Sequence, residues 1–139
     1  MLRISEILPY LYIGNMHDAQ QIIALKNMGI HSIINVTRDV KDNLKYGGIN
    51  RFRIPIDDTP RVDISYYFQD AIDFIERARE NNDKVLVHCV MGISRSVTIV
   101  LAYLMIVCGY TYEDAFDYVK SIRPIINPNI GFRAKLLEL

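Results

Sequence analysis

"KVLVHCVMGISRSVTIVLAYLMIVCG", residues 84–109, joins a short β-branched run to a long apolar one through a turn that carries a histidine, a cysteine and an arginine. "KVLVH" (84–88) is short, Val-rich and bounded by "NND", which predicts a buried strand. The stretch from about Ser96 to Cys108 predicts a buried helix closed by Gly109. Its apolar part, Val97 to Cys108, is well short of the ~20 residues that a membrane-spanning helix needs. Strand, turn and helix in that order put His88, Cys89 and Arg95 beyond the carboxyl end of a strand, where open α/β sheets hold their ligands. A hydrophobic core has no use for that trio, so the turn calls for a chemical explanation.

Upstream, "SEILPYLYIGN" (5–15) predicts a short strand or hairpin pair. "MHDAQQIIALKNMG" (16–29) carries Ala19, Ile22, Ile23 and Lys26 at helical spacing and stops at Gly29. "IHSIINV" (30–36) suits a central strand, and "TRDVKDNLKYGGIN" (37–50) reads as a loop turning at Gly47-Gly48. "RFRIPI" (51–56) alternates, with Phe52, Ile54 and Ile56 on one side and Arg51, Arg53 and Pro55 on the other. That is a half-exposed strand near an edge, because proline cannot donate to a ladder. Phe68, Ala71, Ile72, Ile75 and Ala78 predict a helix over 65–80. Downstream, Thr111 with Asp114 opens a capped helix that ends before Pro124, and a last helix starts near Asn129. Strands alternate with helices early and helices dominate late. The fold class expected is α/β, a mixed, largely parallel sheet with helices on both faces, in a single domain over 1–139.

At 139 residues the chain can bury a sizeable core, and 50% hydrophobic with 23% charged residues is ordinary for a globular protein. Sixteen basic and sixteen acidic residues cancel, so nothing global draws it to nucleic acid or a membrane surface. Its two cysteines, Cys89 and Cys108, lack metal-ligand spacing, and a disulfide framework does not suit so large and apolar a chain. The amino-terminal residues do not read as a signal peptide. The expected setting is therefore reducing, cytoplasmic or nuclear. No cofactor and no metal are expected.

Gly92, in the middle of a strand-to-helix loop, lets successive amides point inward and the first helical turn face the same spot. An oxyanion there would meet amide donors, a helix dipole and the planar fork of Arg95, which holds two oxygens at once. Cys89 lies at the floor of that cup. The same field acts on its sulfur: helix termini and cations can lower a thiol from about 8.5 to roughly 3.5–7.5. Cys89 is therefore expected to be ionised and nucleophilic toward phosphorus.

At this point the chain resembles a known family. "HCVMGISRS" matches the His-Cys-x5-Arg-Ser signature of cysteine-dependent phosphatases, and its Gly-x-Ser-Arg-Ser ending is most similar to the dual-specificity protein phosphatases. "YLYIGN", "IPIDDTP…ISYYF", "AYLM" and "SIRPIINPNIGF" extend the likeness over nearly the whole chain. The resemblance implies a phosphotyrosine protein phosphatase-like fold and hydrolysis of phosphotyrosine and phosphoserine or phosphothreonine through a cysteinyl-phosphate. It implies a pocket formed by Val90, Met91, Gly92, Ile93, Ser94 and Arg95, with Met91 standing where the family commonly has a small residue. It also places the general acid at Asp58, with Asp57 as the alternative, since an oxyanion leaves poorly unless protonated. By the same likeness Ser96 would stabilise the departing thiolate, His88 would orient the loop, and Asn129 would brace it.

Bland readings stand beside these. Asp57-Asp58 could be a solvated turn, Ser96 a mere helix start, Arg38 and Arg61 surface charges, and His17 and His31 ordinary histidines. Cys108 reads as packing, and none of the nine tyrosines draws a catalytic role. The implied partner is a phosphorylated protein, a protein kinase among the candidates, acted on by a monomer. The rival readings are a pseudophosphatase that binds phosphoproteins without turnover, or a phosphatase acting on inositol lipids or RNA. The loop between Cys89 and Arg95 has none of the lysines of inositol-lipid enzymes, and the neutral composition offers no basic groove for RNA.

Overall fold

Alternation along the central strands decides which helix goes where. A computed structural model describes all of residues 1–139. Its strands are β1 (Ser5–Leu8), β2 (Leu11–Gly14), β3 (Ile30–Asn35), β4 (Asn50–Arg53) and β5 (Lys84–His88), in a five-stranded sheet of order β1-β2-β5-β3-β4. Only the β1–β2 hairpin is antiparallel; β2–β5, β5–β3 and β3–β4 run parallel. Val85 and Val87 of β5 point to one face with Leu11, Ile13 and Ile34, while Leu86 points to the other with Tyr12 and Ile33. Both faces of β5 are therefore apolar, which suits the middle of a largely parallel sheet.

The smaller face is covered by α1 (Ile22–Asn27) through Ile22 and Leu25. The larger face carries α2 (Phe68–Glu80), α3 (Arg95–Ile106), α4 (Tyr112–Ile122) and α5 (Ile130–Leu137). α3 lies at the centre of that layer and is buried without interruption from Ser96 to Leu104. That explains its lack of a polar stripe: α2, α4, α5 and the sheet surround it. No helix of the chain is long and apolar enough to cross a membrane. Thr111 Oγ1 accepts the Asp114 amide at 3.1 Å to cap α4, and Asn129 Oδ1 accepts the Phe132 amide at 2.9 Å to cap α5.

Three expectations need correction. The helix read over 16–29 is broken. A 3₁₀ turn at Asp18–Gln20 precedes α1, because Asp18 turns its carboxylate inward to take the amides of Arg3 at 2.7 Å and Asn15 at 2.8 Å. The strand read through Ile56 stops at Arg53: the Ile54 amide still donates to Asn35 of β3 at 2.8 Å, the Ile56 amide turns back to Ile54 at 2.9 Å, and both side chains stay buried. Cys108 does not pack in the core: α3 ends at Ile106 and the thiol is exposed.

The central position of α3 predicts an asymmetry. Leu101→Ala should lower unfolding free energy by about 3 kcal/mol, whereas Ile106→Ala on the exposed end should cost under about 0.5 kcal/mol. Urea denaturation measures both; equal losses would contradict the burial of α3.

Candidate active site

The loop from Cys89 to Ser94 runs from the end of β5 to the start of α3, and every one of its carbonyls has a donor. His88 Nδ1 lies 3.0 Å from the Cys89 oxygen. The amide of Met16 donates to Val90 at 2.9 Å and that of Asn127 to Ile93 at 2.8 Å. Arg123 donates to Met91 through Nη2 at 3.3 Å and to Gly92 through Nε at 2.9 Å. Thr98 serves Ser94 with its amide at 2.9 Å and its hydroxyl at 2.8 Å. A peptide unit is planar and trans, so a carbonyl held outward turns the next amide inward. The amides of Val90, Met91, Ile93, Ser94 and Arg95 have no protein acceptor. Gly92 adopts φ +68°, and a side chain there would collide with Arg123 and the Gly14 carbonyl.

At the base of this nest is Cys89, 3% exposed. Its burial opposes ionisation. Hydrogen bonds from the Ser96 hydroxyl and amide and from the Gly92 amide, with the charge of Arg95, prevail and hold the thiol below its usual value. Sγ lies 3.2 Å from Ser96 Oγ. Arg95 anchors Nη1 on the Ile56 carbonyl at 3.0 Å and leaves its Nε buried without a partner. An unsatisfied buried guanidinium nitrogen beside inward amides fits an oxyanion acceptor. Cys108 is the contrast: partial burial, and then the Glu76 charge, raise its thiol.

The two candidate acids separate cleanly. Asp57 pairs with Arg38 at 2.5 Å on the surface. Asp58 lines the same cavity of about 130 Å³ as Cys89, Val90, Met91, Ile93, Ser94 and Arg95. Its Oδ1 accepts from Ser94 Oγ at 2.7 Å and from Asn129 Nδ2 at 2.9 Å, which leaves Oδ2 free of protein partners. Asn129 also donates its amide to Ser94 Oγ at 3.0 Å, so it touches both the cysteine loop and the acid loop. The acid loop is held from outside as well. A Cβ at Gly131 would meet Pro60 Cα at 2.6 Å and its carbonyl oxygen closer still, so α5 lies directly on that loop. Met91 is 59% exposed on the rim.

Among the remaining sequence candidates, Arg61 and His17 are exposed away from the cavity lining, and His31 lies 3.6 Å from Asp83. Sequence reading missed Arg123, which is buried and braces the loop. A lone arginine at the end of an amphipathic helix looks like a solvated charge, and nothing in its spacing separates it from one.

The fold and site define a class, and comparison with known proteins names it. A family model described as the dual specificity phosphatase catalytic domain matches residues 11–139. The chain is 44% identical over 137 residues to human dual specificity protein phosphatase 5, covering 96% of this chain and 34% of that one. Among solved structures it is similar to DUSP15, with a TM-score of 0.91, 41% identity and coverage of 97% and 85%. It is also similar to a mouse dual specificity phosphatase complexed with zinc tungstate, with a TM-score of 0.94, 33% identity and coverage of 99% and 86%. The chain belongs to the dual specificity phosphatase catalytic domain family. It spans about a third of the length of the curated relatives it matches.

His88 carries a pH prediction. Burial holds its imidazole below the ordinary 6.5, so the unfolded chain binds a proton before the folded one does. Its contribution to stability is present above that ordinary value and is lost as pH falls through the folded one. Urea midpoints should therefore drop below about pH 6.5, and His88→Gln should flatten the upper part of that slope. An undiminished slope in the variant would refute the assignment.

Proposed function

We propose that this chain hydrolyses phosphate monoesters on proteins, acting on phosphotyrosine and on phosphoserine or phosphothreonine, with Cys89 as nucleophile. The observation that carries this reading is the convergence of free amides and the orphaned Arg95 Nε on a cavity with a thiol held below its usual value at its base and a carboxyl at its lip. In the first step Cys89 Sγ attacks phosphorus and the bond to the leaving oxygen breaks. Asp58 gives that oxygen its proton. The three remaining phosphoryl oxygens take the inward amides and Arg95, which stabilise charge as it develops. In the second step water attacks the thiophosphate, its proton passes to Asp58, and Sγ departs as a thiolate that accepts from the Ser96 hydroxyl.

A mouse relative complexed with zinc tungstate supports an oxyanion as a ligand for a domain of this kind. A binding-only module is disfavoured because Cys89, Arg95 and Asp58 share one cavity. An inositol-lipid or RNA substrate is disfavoured because Val90, Met91, Ile93 and Ser94 bring no cation to it. A protein kinase remains within the proposed substrate class, as does action by a monomer in the cytoplasm or nucleus.

Hydrolysis of p-nitrophenyl phosphate with a chelator present tests the reading. Cys89→Ser should abolish turnover, and Asp58→Asn should lower kcat about 100-fold. Asp57→Asn should stay close to the unmodified rate, because an exposed ion pair with Arg38 contributes little. Turnover surviving in Cys89→Ser, or lost to the chelator, would overturn the mechanism. A larger effect at Asp57 than at Asp58 would move the acid by one position.

A further inference from the structure

Arg123 follows α4 as its C-terminal flanking residue and is 6% exposed, yet it makes no ion pair. Taking a guanidinium out of water is costly unless its donors are answered. Here they are answered almost wholly by main chain. Nε and Nη2 go to the Gly92 and Met91 carbonyls, and Nη1 goes to the Arg3 carbonyl at 3.2 Å and Ser5 Oγ at 2.9 Å. The nearest counter-charge is indirect. Arg3, whose carbonyl receives Nη1, sends its own amide from the preceding peptide unit to Asp18, which is 1% exposed. The backbone of one residue, through its two flanking peptide groups, thus stands between a buried cation and a buried anion.

The other half of the fork acts on the centre. The Met91 carbonyl and the Gly92 amide belong to one planar unit, as do the Gly92 carbonyl and the Ile93 amide. The Gly92 amide is one of the donors to Cys89 Sγ, and the Ile93 amide has no protein acceptor. The other loop carbonyls are held by amides of neighbouring segments, by Thr98 or by His88; the two at the apex depend on this single side chain. We propose that Arg123 is a positioning residue of the phosphate centre, turning the Gly92 and Ile93 amides onto the sulfur and the bound oxyanion while adding a cation beneath the loop. This rests on the reading of the pocket as a phosphate site.

The charged and titratable groups around Cys89 are His88 from β5, Asp58 from the acid loop, Arg95 from α3, Arg123 after α4 and Asp18 ahead of α1. Of these, Arg123 is the one that holds the apex carbonyls. The test compares wild type with Arg123→Met, which removes charge and fork, and Arg123→Lys, which keeps the charge alone. Three readouts are taken: the pH midpoint of Cys89 alkylation by iodoacetate, the inorganic phosphate needed to protect Cys89, and kcat and KM on p-nitrophenyl phosphate. Arg123→Met should raise the alkylation midpoint by about one pH unit and the protecting phosphate concentration about 30-fold, with kcat falling more than KM rises. Arg123→Lys should recover part of the midpoint shift but little of the phosphate protection, since one ammonium cannot span both carbonyls.

Wild-type midpoint and protection in folded Arg123→Met would overturn the proposal. If that variant does not fold by circular dichroism, Arg123→Lys decides, and wild-type phosphate protection there overturns it. Failure of phosphate to protect Cys89 in the wild-type chain would instead defeat the phosphate-site reading, whatever Arg123 does.

Discussion

A planar peptide cannot aim its amide at one point without aiming its carbonyl away from it. A row of amides focused on Cys89 therefore needs a row of acceptors answered on the far side, in a region closed to water. The chain answers them with Met16 after β2, Thr98 in α3, Arg123 after α4, Asn127 ahead of α5 and His88 in β5. Almost every layer of the fold touches the back of this one loop. The sheet order that puts β5 between β2 and β3 brings those segments within reach of its carboxyl end.

The electrostatics follow from the same enclosure. Burial alone would keep the Cys89 thiol protonated, and only donors already oriented toward the sulfur reverse that. At neighbouring His88 the balance falls the other way: burial outweighs the Cys89 carbonyl and the Asp42 and Asp18 charges and lowers the imidazole, which serves that carbonyl as a hydrogen-bonding group. Cys108, outside the nest and near the Glu76 charge, moves the other way. Two cysteines of one chain thus diverge through surroundings, and exposure alone would have ranked their reactivity in reverse.

What could be read from the residues was whatever repeats or clusters. The alternation of "RFRIPI", the buried runs of β3 and β5, the unbroken apolar α3 and the caps at Thr111 and Asn129 all show in the chain before folding. So does the spacing of Cys89 and Arg95. Features that depend on a distant partner did not show. The break before α1 comes from Asp18 reaching back to Arg3. Asp57 and Asp58 are identical in composition and adjacent in sequence; only Arg38 on one side and Ser94 with Asn129 on the other tell them apart. Arg123 is the extreme case, since its partners at Arg3 and Ser5 lie nearly the whole chain away.

The missing side chain at Gly131 reaches further than a local fit. With the helix backbone set against Pro60, the segment bearing Asp58 is braced from the α5 side, and Asn129 ties its carboxyl to the cysteine loop. One helix thus sets the spacing between the lip of the cavity and its base. A cavity of about 130 Å³ has room for a small group alone, so the rest of any larger visitor stays outside and meets the few exposed atoms of its brim, Met91 among them.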